Sequence, residues 1–176
     1  MLVPNKVGVG RAKKIGVANL YVFFSTSENF NINNHGKMAS QIFTEYCTAL
    51  DGIPKDNIRV YLSCVFGSPY TETIDVDVIE RSIRWADSLG STIVLSDTIG
   101  NADPLSIRSF VNHTNNISID SDLALHLHHG PRKNRMFDNL SAGFDAGIRQ
   151  FDSSIGGMGG CPFVPGSGGN LSTEDL

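Results

Sequence analysis

The sequence predicts an α/β protein with a parallel sheet, and three observations lead to this prediction. Short apolar runs rich in β-branched and aromatic residues recur at intervals of roughly thirty to forty residues. The runs are nearly continuous rather than alternating, which is typical of strands buried on both faces of a parallel sheet. Segments with an apolar residue at about every fourth position lie between the runs and indicate helices. Strands and helices in regular alternation therefore predict a parallel sheet covered by helices.

Each expected strand corresponds to one of the short apolar runs. Five strands are expected, near residues 19–25, 58–65, 92–96, 123–128 and 150–154. Leu2 and Val3 resemble the end of a sixth strand.

The segments between these strands carry helical patterns. Two of them have an apolar stripe, formed by Met38, Ile42, Tyr46 and Leu50 in one and by Ile79, Ile83, Ala86 and Leu89 in the other. Asp103 followed by Pro104 predicts the start of a third helix. A shorter helix is expected over 138–147, and a last helix is expected to begin at Asn170.

The composition excludes several classes of protein. Hydrophobic residues make up 40% of the chain and charged residues 18%, which argues against intrinsic disorder. The net charge is −4, so the basic footprint of a nucleic-acid-binding protein is missing. No apolar run reaches the ~18 residues of a membrane span, and the start of the sequence shows no secretory signal. Three scattered cysteines fit a reducing compartment, so a cytoplasmic location is expected.

Polar and reactive residues follow the carboxyl ends of the predicted strands. They are Ser25 to Glu28, Ser63 and Cys64, Asp97 and Thr98, His126 and His128, and Ser153 and Ser154. In (β/α)8 barrels this edge of the sheet carries the active site. Because a barrel of eight units takes about 250 residues, residues 1–176 are expected to form a single domain that is an incomplete barrel.

Two of these positions have two interpretations each. His126 and His128 are two residues apart on a strand, so both side chains face one way and suit two ligands of one metal ion; a packed or hydrogen-bonded histidine pair is equally compatible. His129 is expected to face the other way. Asp97 is either a turn residue that holds backbone amides or a carboxylate that opens onto the same mouth as the histidines.

The glycine-rich segment 156–170 holds seven of the 18 glycines of the chain. A cysteine and two prolines interrupt it, which is unusual for a flexible linker. The segment is expected to be a mobile lid that brings the thiol of Cys161 over a site, with a disordered loop as the alternative.

At these residues the chain resembles the 3-hydroxy-3-methylglutaryl-CoA lyase family of the DRE-TIM metallolyases. The matching stretches are Leu2 to Asn5, Phe24 to Phe30 (FSTSENF), Ser63 to Tyr70 (SCVFGSPY), Ser96 to Gly100 (SDTIG), His126 to His128, and Asp152 to Asp175. The resemblance implies a (β/α)8 TIM barrel, of which this sequence covers about strands 3 to 8. It also implies a divalent metal, Mg²⁺ or Mn²⁺, and cleavage of an acyl-CoA thioester, 3-hydroxy-3-methylglutaryl-CoA, into acetoacetate and acetyl-CoA, a step of leucine degradation.

By position, the resemblance makes His126, His128 and Asn170 the metal ligands. It makes Cys161, Asp97 and His126 the candidate catalytic residues. Chelation of the substrate's hydroxyl and carbonyl oxygens would acidify the hydroxyl. Collapse of the alkoxide would break the carbon–carbon bond, and Cys161 or Asp97 would handle the proton that the resulting enolate needs.

The sequence departs from the family at two places. Family members carry an Asp-Arg-Glu triplet at the end of the first barrel strand, which supplies a fourth ligand and an arginine, and this sequence does not contain it. His129 to Arg132 replace the usual Asp-Thr-Tyr-Gly after the second histidine, so the surroundings of the metal are expected to differ.

Three other readings stay open. A Claisen-type acyl-CoA condensing synthase or another aldol lyase of the same superfamily would share the scaffold, and a non-catalytic fragment would serve as a binding module. Unpaired sheet edges would favour association, so a homodimer is possible.

Overall fold

The computed structural model describes residues 1–130, 135–161 and 168–176. Its centre is a parallel sheet of five strands in the order β1-β2-β3-β4-β5. The strands are β1 (Leu20–Ser25), β2 (Ile58–Ser63), β3 (Thr92–Asp97), β4 (Asp122–Leu127) and β5 (Gln150–Asp152). The five predicted strands are confirmed within two residues at each end. β2 ends before the predicted position because Cys64 has φ +63°, which is incompatible with extended backbone.

Helices connect these strands, as the alternating pattern predicts. They are α1 (Lys6–Lys14), α2 (Glu28–His35), α3 (Ala39–Ala49), α4 (Val76–Leu89), α5 (Pro104–Asn115) and α6 (Met136–Asp145). The predicted start at Asp103 is confirmed, because its side chain accepts a hydrogen bond from Ser106 N. α1 and α2 were not predicted because each buries only two residues. Their caps, Asn5 and Ser27, were the available signal.

The last predicted helix differs from the structure. Asn170 does not begin a helix; it forms an isolated antiparallel bridge with His128. Only a single 3-10 turn follows, at Thr173–Asp175. The backbone N–H of Asn170 donates to Gly157 O, so the backbone of Asn170 is bound to the glycine-rich segment and does not start a helix.

The two faces of the sheet have different chemistry. On the outer face, alternate residues such as Val60, Ile93, Leu95 and Leu125 are fully buried and form the core with the helices. The residues between them point to the inner face, which a barrel encloses. The inner face is polar and aromatic: it presents Tyr21, Arg59, Tyr61, Ser96, His126 and Asp152.

The free edge of β1 is partly covered by the amino-terminal residues. Val3 N donates to Tyr21 O, and Tyr21 N donates to Met1 O. The hydroxyl of the buried Tyr46 donates to Val3 O at 3.2 Å. Leu2 and Val3 therefore lie where the end of a sixth strand is predicted. Within the described residues, no helix is long and apolar enough to cross a membrane.

Two glycines bring the loops after β3 and β4 into contact. A Cβ on Gly130 would lie 1.7 Å from Gly100 O, and a Cβ on Gly100 would lie 2.4 Å from Gly130 Cα. Gly100 also has φ +66°, which favours glycine. The two backbones touch close to His128 and Thr98, so this contact fixes the relative position of the two loops at the carboxyl edge of the sheet.

We expect Gly130→Ala to destabilise the protein. The added methyl group would overlap Gly100 O, and overpacking of this kind costs about 1–3 kcal/mol or more. Gly10→Ala is the control, since nothing lies within 4 Å of its Cβ position in α1 and the change should stabilise that helix by about 0.5–1 kcal/mol. Urea unfolding of both variants measures the difference, and equal stabilities would contradict the contact.

Candidate metal centre and active site

The two histidines of β4 face each other at the carboxyl edge of the sheet. Nε2 of His126 lies 3.0 Å from Nε2 of His128. His128 is buried, with 8% of its surface exposed, whereas His126 is half-buried. The alternation of the strand therefore places both rings on one side, as predicted, and His129 is exposed and outside the cavity described below.

The second ring nitrogen of His128 has a fixed partner. Its Nδ1 lies 3.0 Å from the carbonyl oxygen of Thr98. A carbonyl only accepts, so Nδ1 carries the proton and Nε2 presents a lone pair. Burial lowers the pKa of His128 and outweighs the opposing contact with Thr98. The ring is thus held neutral, in the form that binds metals.

Asn170 belongs to the glycine-rich segment and forms a backbone bridge with His128. Its Nδ2 donates to Met158 O at 2.8 Å. Its Oδ1 is buried and has no hydrogen-bond partner within the described part of the chain. A buried, unpaired amide oxygen costs free energy, and this one belongs to the residue that pairs with His128.

The three side chains have a donor set that fits a divalent cation. Two donors at about 2.1 Å from one ion and at a right angle to each other lie about 3.0 Å apart, which is the separation of the two Nε2 atoms. The same distance would suit a shared hydrogen bond, but that leaves the Asn170 oxygen unpaired. Among the described residues no group of three or more His, Cys, Asp or Glu could hold a metal. The candidate ligands are two imidazoles and an amide, a set without a carboxylate.

A cavity of about 620 Å³ opens in front of these residues. Its wall combines the candidate ligands with aromatic residues of the inner face. It is lined by Leu2, Pro4, Tyr21, Phe23, Phe30, Asn34, Tyr61, Ser63, Ser96, Thr98, His126, His128, Gly159, Gly160, Cys161 and Asn170. The half-buried Cys161 also packs near Phe30 and Cys64. Residues 162–167 of the predicted lid lie outside the described residues, so closure of a lid stays a prediction.

Asp97 lies beside this cavity but does not line it. It pairs in register with Leu127, and its side chain is on the outer face. Its carboxylate accepts backbone hydrogen bonds from Asn101 and Ala102 at 2.9 and 3.1 Å. The geometry corresponds to the turn interpretation, so a catalytic role for Asp97 stays a prediction.

Three residues of the inner face were missed by the sequence analysis. Tyr61 of β2 and Asp152 of β5 contact the ring of His126, and Arg59 of β2 pairs with Asp152. The Tyr61 ring packs edge-on to the His126 ring at 5.9 Å, and Asp152 Oδ2 lies 3.4 Å from His126 Nδ1. Burial alone would raise the pKa of Asp152, but interactions with His126, Tyr61 and Arg59 lower it overall. The signal was present: polar residues at alternate positions of an otherwise apolar run mark an inner face.

The fold and the position of the polar residues define the class of protein. A parallel α/β sheet with its polar groups at the carboxyl edge and on the inner face is an arc of a (β/α)8 barrel. A family model described as HMGL-like matches residues 2–176, and the chain belongs to this family.

Individual relatives agree with this assignment. The chain is 34% identical to the hydroxymethylglutaryl-CoA lyase YngG of Bacillus subtilis, over 99% of this chain and 59% of that protein. It is 29% identical to the (R)-citramalyl-CoA lyase of Chloroflexus aurantiacus, over 99% of this chain and 56% of that protein. A solved HMG-CoA lyase of Acinetobacter baumannii in complex with coenzyme A and 3-methylmalate matches with TM-score 0.87 and 32% identity, over 99% of this chain and 57% of the other. The incomplete TIM barrel predicted from the sequence is confirmed. The chain spans less than three fifths of the length of each of these relatives.

We expect the stability of the protein to depend on pH through Asp97. Burial raises the pKa of Asp97 from 3.8 to about 6, although backbone N–H groups oppose this. Because the folded state binds the proton more tightly, this contribution is present below about pH 4 and is lost as the pH rises through about 6.

Asp97→Asn removes this titration. Between pH 4 and pH 7.5, the difference in unfolding free energy between variant and wild type should shift by about 2–3 kcal/mol in favour of the variant. Urea unfolding at both pH values measures it, and the other titrating groups cancel in the comparison. A difference that stays constant would contradict a raised pKa for Asp97.

Proposed function

We propose that the protein is part of a metal-dependent carbon–carbon lyase that cleaves 3-hydroxy-3-methylglutaryl-CoA to acetoacetate and acetyl-CoA. The observation that carries the proposal is a pair of imidazole Nε2 atoms 3.0 Å apart in a cavity that Asn170, with its unpaired amide oxygen, also lines. The family assignment supports the reaction class. We also propose a cytoplasmic location and a role in leucine degradation, with an acyl-CoA thioester as the partner molecule.

His126, His128 and Asn170 would hold the cation in this proposal. A bound Mg²⁺ or Mn²⁺ would act as a Lewis acid toward the oxygens of a chelated 3-hydroxyacyl thioester. The chain itself sets the ligands in place: Thr98 O fixes the tautomer of His128, and Met158 O fixes the amide of Asn170. Ser96 and Thr98 are buried and line the same cavity as these side chains.

Cys161 is the proposed proton-transfer residue. It lines the cavity together with His126, His128 and Asn170, so its thiol can reach a substrate held there. The backbone of Gly159 and Gly160 forms the adjoining wall. A thiol in this position can donate or accept the proton that the departing enolate exchanges. The Asp97 carboxylate contributes by holding the loop that carries Thr98.

The proposed ligand set lacks a carboxylate. All three donors are neutral, whereas Mg²⁺ prefers carboxylate and water oxygens. The positive charge of the ion would therefore be uncompensated by its direct protein ligands in the described residues, which weakens binding.

A second lyase substrate is supported by one comparison. The relative from Chloroflexus is named (R)-citramalyl-CoA lyase, so another 3-hydroxyacyl-CoA thioester is the main alternative substrate. A condensing synthase, which would form a carbon–carbon bond and not break one, is a further alternative. The test incubates the protein, joined to the remaining barrel units, with each thioester. Acetoacetate release supports the proposal, and pyruvate release supports the citramalyl alternative. Condensation without cleavage would contradict both lyase activities.

The 176-residue chain by itself is expected to bind Mg²⁺ weakly and to show no lyase turnover. The proposed ligand set holds no carboxylate, and Arg59 is paired with Asp152 and does not line the cavity; loss of one donor for developing negative charge typically costs ~10²–10³ in rate. Isothermal titration and a coupled acetoacetate assay measure both properties. Robust turnover that disappears in Cys161→Ala would show that this expectation is wrong.

Gly159→Ala should weaken metal binding by displacing Asn170. A Cβ on Gly159 would lie 2.6 Å from Asn170 Nδ2, and disturbing the support of a ligand typically costs ~10–100-fold in metal affinity. Gly156→Ala is the matched control, because it also has positive φ but no atom within 4 Å of its Cβ position. Mn²⁺ titration of the two variants is the measurement; equal affinities would remove Asn170 from the proposed ligands.

A further inference from the structure

A half-buried ion pair lies behind His126, on the side away from the proposed metal. Asp152 pairs in register with His126 across β4 and β5. One carboxylate oxygen, Oδ2, lies 3.4 Å from His126 Nδ1, and the other, Oδ1, lies 3.4 Å from Arg59 Nη2. The side chains of Asp152 and Arg59 are only 19% and 24% exposed. The carboxylate of Asp152 therefore lies between the guanidinium of Arg59 and the imidazole of His126 and contacts both.

The position of Arg59 is set by aromatic rings. Its guanidinium lies 5.7 Å from the centre of the Tyr21 ring and 6.0 Å from that of Tyr61, distances at which a cation is attracted to a ring face. A charged arginine on the inner face of a barrel needs a counter-charge. Asp152 is the acidic side chain paired with it in the described residues.

Asp152 determines which nitrogen of His126 carries the proton. His126 Nδ1 and Asp152 Oδ2 are both buried and have no hydrogen-bond partner in the described part of the chain, yet they are neighbours. A carboxylate beside a cation can only accept a hydrogen bond. The proton of a neutral His126 is therefore favoured on Nδ1, which leaves the lone pair of Nε2 directed at His128.

We propose that Asp152, held by Arg59, is a positioning residue that fixes His126 in the Nδ1–H tautomer. Its use as a ligand support rests on the proposed function, since only a metal site requires both Nε2 atoms to be unprotonated. Without a metal, the 3.0 Å contact between the two Nε2 atoms favours the opposite tautomer, in which His126 Nε2–H donates to His128. The tautomer measurement therefore tests whether Asp152 prevails over that hydrogen bond.

The tautomer is measured directly on the metal-free protein. Two-dimensional ¹H–¹⁵N spectra of the imidazole nitrogens, with His126→Gln to assign the signals, should show Nδ1–H for His126 in the wild type. Asp152→Asn should shift His126 toward a mixture of tautomers. Nε2–H in the wild type would overturn the proposal, even if no variant folds.

Metal affinity supplies the second readout. Asp152→Asn should raise the Kd for Mn²⁺ by ~10–100-fold, the usual effect of removing a partner of a ligating histidine, and Arg59→Gln should raise it in the same direction. The exposed pair Arg108–Asp145, with Nη2 and Oδ2 3.0 Å apart, provides matched controls. Asp145→Asn and Arg108→Gln should leave the Kd within about twofold, because exposed ion pairs contribute little.

The two proposals fail in different ways. If the wild type does not bind Mn²⁺, the proposed metal site is wrong. The role of Asp152 is then tested by the tautomer of His126 alone. Wild-type binding that is unchanged in a folded Asp152→Asn, together with an unchanged tautomer, would overturn the role of Asp152 and leave the metal site intact. Circular dichroism establishes that each variant is folded.

Discussion

Every feature of the site depends on the strict alternation of side chains along parallel strands in register. Because Ser96 pairs with His126 and His126 with Asp152, three neighbouring strands present their polar groups on one face and at one level. The apolar residues between them, such as Leu95 and Leu125, are then directed at the helices. A slip of one residue in any strand would exchange the two sets. The same register therefore produces the core and the site together, and neither can be altered alone.

Backbone contacts, rather than side chains, bring the carboxyl-edge loops close enough to act together. Gly130 touches Gly100. Gly168 N donates a hydrogen bond to His129 O, and His129 N donates one to Gly169 O. Each contact occurs where a Cβ would overlap its neighbour. As a result, His128 is held between the loop that follows β3 and the segment that carries Asn170. The position of one histidine thus depends on loops from three parts of the chain.

The sequence was sufficient for the fold and for part of the site. Apolar periodicity located all five strands, and the spacing of His126 and His128 was enough to place both rings on one face. The helices α1 and α2 were missed because each buries only two residues, and their capping residues Asn5 and Ser27 were the signal that could have located them. The alternation of β3 has to be followed to its last residue, Asp97, before the direction of that side chain can be predicted. Asp97 continues the outer-face series of Ile93 and Leu95, and its burial comes from the turn it stabilises.

Arg59 and Asp152 could not be linked from the sequence because ninety-odd residues separate them. Their proximity follows from the curvature of the sheet across β2 to β5, which no local pattern encodes. A polar residue within an apolar strand indicates that an inner face exists. Which residues meet across that face is a property of the tertiary structure.

The amino-terminal residues have a consequence for how this molecule meets others. The edge of β1 would ordinarily present free N–H and C=O groups to any extended peptide. Here Met1 and Val3 already occupy both groups of Tyr21, and the hydroxyl of Tyr46 lies 3.5 Å from Phe23 O. An extended peptide can therefore pair with this part of β1 only after it displaces these intramolecular partners.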